Sequence, residues 1–393
     1  MNILYYDWDE FNGEDCRDAM ERLGHNVEKI RLELKGYDLT PEIEKAFAKE
    51  FARTGDGKRY FDLVFSFDYF PNISEVCQNN GVPYVSWVFD CPHYTLDSHT
   101  INNPVNRIFV FDKILCANLR AKGATTVNHM PLGVNEKRLT EFCRDLDNET
   151  GGNIIYEHDV SFLGSLYDNE FNFYDQVRYL PPELKAYIDL VISAQEKIFS
   201  HDLFTDEKAV TQGHIDRLRE YIRFEKTGKY ELDYDNIMRD ILRKKVTVNE
   251  RRHILEKMGQ NFDTVLYTNP DAKPVENVCN LGIADYNTKM PRVFRRSKVN
   301  LNITLRCILS GIPLRVIDVL AAGGFLVTSY TQEIAENFED GVDLAIAHTP
   351  EEMLQKTAYY LEHEDERKAI ALNGQKKVLE RFSYMKLLPM VLG

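Results

Sequence analysis

The stretch Ser310-Gly-Ile-Pro-Leu-Arg-Val-Ile-Asp-Val-Leu-Ala-Ala-Gly-Gly-Phe-Leu-Val-Thr-Ser-Tyr330 concentrates residue types that can hold a phosphorylated ligand. Ser310 and Gly311 stand where a helix over about 312–322 is expected to start. Pro313 suits its first turn, and Gly323-Gly324 ends it before a buried strand. The start of a helix offers backbone N–H groups to an anion such as a diphosphate, and Arg315 adds positive charge. Asp318, two turns in, can accept hydrogen bonds from ribose hydroxyls. The same pattern also suits a plain helix between two strands with solvent-facing charges; Gly323-Gly324 is a helix C-cap first, although close approach of a phosphorylated donor would use the same absence of side chains and the pair is kept as a donor-binding candidate.

A second group lies in the N-terminal half. Tyr84–Phe89 reads as a buried strand, so Asp90 and His93 should project from its carboxyl end. A carboxylate there can act as general base on an acceptor hydroxyl, or orient His93 to do so. Asp90 is the first candidate for that role. Asp9, which follows the first strand together with Asp7, is the second. The structural alternative for His93 is a partly buried turn residue after Pro92.

Other polar groups read as structural. Asp7-Trp-Asp9, Asp145-Leu-Asp147 and Asp233-Tyr-Asp235 each spell D-x-D, a pattern that can hold a divalent cation on a phosphorylated donor. With 62 Asp and Glu in the chain such triplets arise easily, and no metal and no cofactor is expected. Arg292, Arg295, Arg296 and Lys298 read as a solvated helix face rather than a phosphate clamp. No Ser-His-Asp arrangement, Walker loop or G-x-G-x-x-G is present, which disfavours hydrolase, NTPase and dehydrogenase readings.

These residues need a scaffold. The 393 residues suit two or three domains, and 44% hydrophobic with 28% charged residues suit a globular chain with ample core. The 48 Lys and Arg against 62 Asp and Glu give a net charge of −14, which repels nucleic acid and anionic membrane surfaces. Any bound phosphate must therefore be held locally. No apolar run reaches the ~20 residues of a membrane span, the first residues do not read as a signal peptide, and seven scattered cysteines fit a reducing cytoplasm.

Short buried strands at Ile3–Tyr6, His25–Ile30, Leu63–Phe67, Tyr84–Phe89, Arg107–Phe111 and Thr126–His129 alternate with helical segments such as Ile73–Asn80 and Ile114–Lys122. Such alternation predicts βαβ units and a parallel sheet. After a strand at Val160–Gly164 a helical tract over about 169–257 interrupts the pattern. Alternation resumes at Thr264–Tyr267, Asn280–Ala284, Val299–Ile303 and Phe325–Thr328, and two helices close the chain. The expected class is α/β: two Rossmann-like domains facing a central cleft, over residues 1–135 and 136–374, with a helical insertion and a final segment 375–393 returning toward the first domain.

Met290-Pro through Ser297-Lys-Val-Asn-Leu-Asn-Ile-Thr304, Ser310-Gly-Ile-Pro-Leu-Arg-Val-Ile-Asp318 and Gly323-Gly-Phe-Leu-Val-Thr328 resemble the C-terminal domain of the CgeB-like, spore-maturation-type bacterial glycosyltransferases. Tyr84–His93 and Met130-Pro-Leu-Gly-Val-Asn135 resemble the N-terminal partner domain of that family. The resemblance implies a GT-B fold and transfer of a sugar, hexosyl or N-acetylhexosaminyl, from a UDP-type donor to an unidentified glycan, protein or small-molecule acceptor. It implies that Gly164-Ser165 faces the donor phosphates, that Asp318 matches the second acid of an E-x7-E pair, and that 131–135 leads toward a hinge. Ser310 stands at the first acid's position, so the pair is incomplete. A nucleotide-sugar epimerase and a degenerate binding module are the rival readings, and self-association is left open.

Overall fold

The computed structural model describes residues 1–55, 57–169, 172–223, 228 and 232–393. It contains two compact units: 1–135 with 224–233 and 382–393, and 136–223 with 234–381.

In the N-terminal unit the strands are β1 (Asn2–Tyr6), β2 (Asn26–Ile30), a small hairpin β3 (Thr54–Gly55) and β4 (Lys58–Arg59), β5 (Leu63–Phe67), β6 (Tyr84–Val88), β7 (Asn106–Val110) and β8 (Val127–His129). Apart from the hairpin they form one parallel sheet in the order β2-β1-β5-β6-β7-β8. β5 and β6 are buried at every residue, as expected of central strands covered on both faces. The connecting helices are cut where local chemistry requires: Pro71–Asn80 opens on proline and closes at Gly81 in the left-handed conformation. The chain passes from β1 to β2 on one side and then to β5 on the other, so the strand order reverses between β1 and β5. Ligands of such sheets bind outside the carboxyl ends of the strands beside that reversal.

The second unit repeats the plan with β9 (His158–Leu163), β10 (Thr264–Tyr267), β11 (Cys279–Asn280), β12 (Ser297–Asn302), β13 (Leu326–Ser329) and β14 (Ala345–Ala347). These form a parallel sheet in the order β11-β10-β9-β12-β13-β14, reversing between β9 and β12. Among the described residues four helices lie between β9 and β10, ending in the 28-residue helix Tyr234–Asn261. Its Arg243 is buried, with ion pairs to Asp202 at 2.6 Å and Asp240 at 2.9 Å. Of the expected strand over 280–284 only Asn280 lies in a strand, as the last residue of the two-residue β11.

The helix Glu364–Arg381 packs on Leu314–Ala321 in the second unit, whereas the last helix, Tyr384–Leu392, packs on Gly13–Arg22 and β6 in the first. Among the described residues no helix is long and apolar enough to cross a membrane.

Candidate active site

At the carboxyl edge of the second sheet, β9 is followed by Gly164, whose φ of +155° lies outside the range comfortable for other residues. The chain turns there, with Ser165 Oγ accepting the Tyr167 N–H at 3.0 Å. Across the reversal point, β12 is followed by Ile303 and Thr304, fixed by a hydrogen bond from the Thr304 N–H to Ser329 Oγ at 3.0 Å. Arg251, from the long helix, bridges the two strand ends. Its Nε and Nη2 donate to the Ile303 carbonyl at 3.1 and 2.7 Å, and its Nη1 donates to the Ser165 carbonyl. The guanidinium lies over the rings of Phe162 and Tyr167, with 5.3 and 5.1 Å to their centroids. Burial pulls its pKa down, and the nearby positive charge of Arg315 pulls further.

Arg315 sits in the first turn of the helix Leu314–Ala321. The helix begins after Pro313, and no side chain caps its start. Arg315 lies over Phe294 at 5.1 Å and 3.8 Å from Asp318, while burial lowers its pKa against the opposing pull of Asp318. Asp318 is buried and accepts a hydrogen bond from the Tyr286 hydroxyl at 3.5 Å. One edge thus gathers two guanidiniums, an uncapped helix start and a carboxylate, a set of groups able to hold a diphosphate with a polyhydroxyl group beside it.

Three expectations for this region need correction. The helix starts at Leu314, not near Ile312, because Ser310 and Gly311 are drawn into the next strand-end loop. Ser310 is buried, its Oγ donating to Glu333 Oε1 at 2.8 Å, and the Gly311 carbonyl accepts from Thr331 Oγ1 at 3.1 Å. Gly323 and Gly324 sit at the opposite end of the helix, about 12 Å along its axis and next to the amino end of β13. They are packing residues: a Cβ on Gly324 would approach the Phe294 carbonyl oxygen to 2.5 Å. Finally, Arg295 and Arg296 do not form a solvated face. They are largely buried and paired, Arg295 with Asp147 and Arg296 with Glu149 and Glu157.

The carboxyl edge of the first sheet has another character. Asp68 follows β5 with φ of +56°, and its carbonyl is clamped by the hydroxyls of Ser66 at 2.7 Å and Ser86 at 3.0 Å. Its Oδ1 accepts the N–H groups of Phe89 at 3.0 Å and Asp90 at 3.1 Å, which brings the Asp90 turn against it. His93 Nε2 lies 3.1 Å from both the amide nitrogen and the carbonyl oxygen of Tyr69, and its Nδ1 lies 4.0 Å from Asp68.

Burial raises Asp68 to about 6. Partial burial, then the Asp68 charge, raises Asp90 to about 6 as well, while burial lowers His93. Because the two carboxyls interact, their protons come off in steps that belong to the pair rather than to either residue. Asp90 and His93 are therefore brought together. Their third member, Asp68, was missed, although its position directly after a buried strand offered the same signal as Asp90. The ligand atoms of Asp68, Asp90 and His93 lie within 4.8 Å of one another, so the group could also hold a divalent cation.

Asp9 stands apart from this group. Its carboxylate is 91% exposed and faces Arg31, which also pairs with the buried Asp7. These residues line an open groove of about 440 Å³ with Trp8, Leu34 and Phe70. Trp8 stacks on Phe89 at 5.9 Å, and the half-exposed Phe11 meets the same ring edge-on. The other D-x-D carboxylates are also ion-paired: Asp145 with Arg144, Asp147 with Arg295, Asp233 with Lys122 and Asp235 with Arg219. Asp233 belongs to the first unit rather than to the helical insertion.

Two Rossmann-like units with parallel sheets define the α/β architecture of the GT-B class. Residues 218–389 match a family described as glycosyl transferase-like. The fold is shared with HepE of Anabaena, solved with UDP and glucose, at a TM-score of 0.51 and 12% identity over 100% of this chain and 98% of that one. It is shared likewise with a sucrose-phosphate synthase of Thermosynechococcus elongatus (TM-score 0.53, 10% identity, 99% and 97% covered). A UDP-forming trehalose-phosphate synthase of Burkholderia xenovorans gives a TM-score of 0.52 at 12% identity, with 100% and 97% covered. No curated protein has a matching sequence.

Proposed function

We propose that this chain is a glycosyltransferase of the CgeB-like type that moves a sugar from a UDP-sugar donor to an acceptor hydroxyl without a metal ion. The observation that carries the reading is the convergence of Arg251 and Arg315 beside the Gly164 turn, at the strand-order reversal of the second sheet. Burial lowers both guanidiniums and the charge of Arg315 lowers Arg251 further, so an anion beside them favours their charged forms. The UDP complex of HepE and the UDP-forming synthase support a uridine diphosphate as that anion. Asp318 is assigned to the ribose hydroxyls. It takes the place of the second acid of the E-x7-E pair, and the first has no carboxylate of its own at Ser310.

In the proposed reaction the acceptor oxygen forms a bond to the anomeric carbon as the bond from that carbon to the diphosphate oxygen breaks. The diphosphate leaves with its charge held by Arg251, Arg315 and the N–H groups opening Leu314–Ala321. The acceptor proton passes to the Asp68–Asp90 pair, with His93 holding the turn that carries Asp90. The aromatic residues Trp8, Phe11 and Phe89 near this edge suit an acceptor with an apolar ring face.

The test is UDP release from a panel of UDP-sugars with acceptor mixtures, run with and without EDTA. Slow UDP release without acceptor, faster release with one, and no effect of EDTA are expected. Interconversion of the sugar with no UDP released would instead indicate an epimerase, and loss of activity in EDTA would place a cation at Asp68, Asp90 and His93.

A further inference from the structure

A second cationic pocket lies at the amino end of the same sheet, one strand length away from the site above. Its volume is about 230 Å³, and its lining includes Ser297 and Lys298 at the start of β12, Phe325 just before β13, and Arg295, Arg367 and Lys368. Four cations and no carboxylate line it, in a chain whose net charge is −14. Three of the cations are neutralised by acids outside the lining: Arg295 by Asp147 at 2.5 Å, Lys298 by Asp159 at 2.7 Å and Lys368 by Glu364 at 2.5 Å.

Arg367 differs from the others. It is 1% exposed, its Nη1 donates to the Tyr360 carbonyl at 2.8 Å, and its guanidinium lies 5.1 Å from the centre of the Tyr156 ring. Its Nε and Nη2 have no hydrogen-bond partner, and no carboxylate lies within ion-pair distance among the described residues. A buried guanidinium with two N–H-bearing atoms unsatisfied is costly, and guanidinium groups match the oxygens of phosphate in a two-point contact. The pocket is held in shape from below: Arg295 Nη1 and Gln375 Nε2 donate to the Ala322 and Ala321 carbonyls at 3.3 and 3.0 Å.

We propose that this pocket is a second anion site that binds a phosphate group through Arg367, with Lys298 and Lys368 at its rim. The ligand is inorganic phosphate or a small phosphomonoester. The site is independent of the donor reading, since none of its lining residues belongs to the donor edge.

The test is calorimetric titration of the full chain with inorganic phosphate and with ribose 5-phosphate, at constant ionic strength set with potassium chloride. Binding of phosphate alone assigns the free ion, and ribose 5-phosphate binding at least about tenfold tighter assigns a phosphomonoester. Arg367→Met should abolish binding. Lys298→Ala and Lys368→Ala remove exposed ion pairs, which contribute little to folding, and each should weaken binding about tenfold, so the test survives if Arg367→Met fails to fold. Arg315→Ala removes phosphate binding at the donor edge and should leave the Arg367-dependent binding in place. Absence of binding, unchanged affinity in the lysine variants, or loss in Arg315→Ala alone would overturn the proposal.

Discussion

The two sheets carry opposite chemistry at equivalent edges. Where the first sheet's strands end, carboxyls are crowded: burial raises Asp68 and Asp90 to about 6 each. Where the second sheet's strands end, guanidiniums are crowded, and Arg251 and Arg315 are both pulled below the usual arginine value by burial. Both are costly arrangements for the folded chain. Under the proposed function each becomes favourable when its edge meets the complementary species, a proton to be accepted in the first case and a diphosphate in the second. The architecture is the same in both, so the division of labour lies in the strand-end residues alone.

The sharpest way to break this comparison is Asp90→Asn. Turnover should fall by about 10²- to 10⁴-fold with UDP affinity unchanged, as measured by UDP release and calorimetry. Full activity would remove the general-base role. The reciprocal change, Arg315→Ala, should weaken UDP binding by about tenfold or more while leaving the pH dependence of the remaining turnover intact. Asp318→Ala should cost about tenfold in UDP affinity and less for a diphosphate that lacks the ribose.

The acid edge also makes a prediction about pH. Carboxyls raised to about 6 in the fold stabilise it where they are protonated, so their contribution is complete below about pH 4 and is lost as pH rises through about 6. Asp68→Asn, which keeps an oxygen to accept the Phe89 and Asp90 amides, should therefore gain stability over the parent by about 1–3 kcal/mol at pH 7.5 and not at pH 4. Urea melts at the two pH values measure this. In the same range kcat/KM should rise with pH up to about 6 and level off above it, as the Asp68–Asp90 pair loses its proton.

Much of the scaffold was readable in the sequence because it depends on local pattern. Buried strands such as Leu63–Phe67 and Thr264–Tyr267 are short apolar runs, and helices such as Pro71–Asn80 are bounded by proline and glycine. Asp90 and His93 were legible for the same reason, being the first polar residues after a buried strand. What escaped depends on distant partners. Arg251 sits inside a helix of mixed polarity, and only the fold brings it to Ser165 and Ile303, 86 and 52 residues away. Arg295 and Arg296 look like a solvated face until residues about 150 positions earlier supply their carboxylates. Gly323-Gly324 was assigned to the donor because glycine pairs suit ligand contact. The direction of the helix, running away from the strand ends, decides against it.

The central claim is that the second sheet's edge grips a diphosphate, and calorimetry of the chain with UDP and with uridine tests it most directly. Saturable UDP binding is expected, with uridine weaker by at least about 100-fold and that difference narrowed by about tenfold or more in Arg315→Ala. Equal affinity for UDP and uridine, or no heat with either, would contradict it.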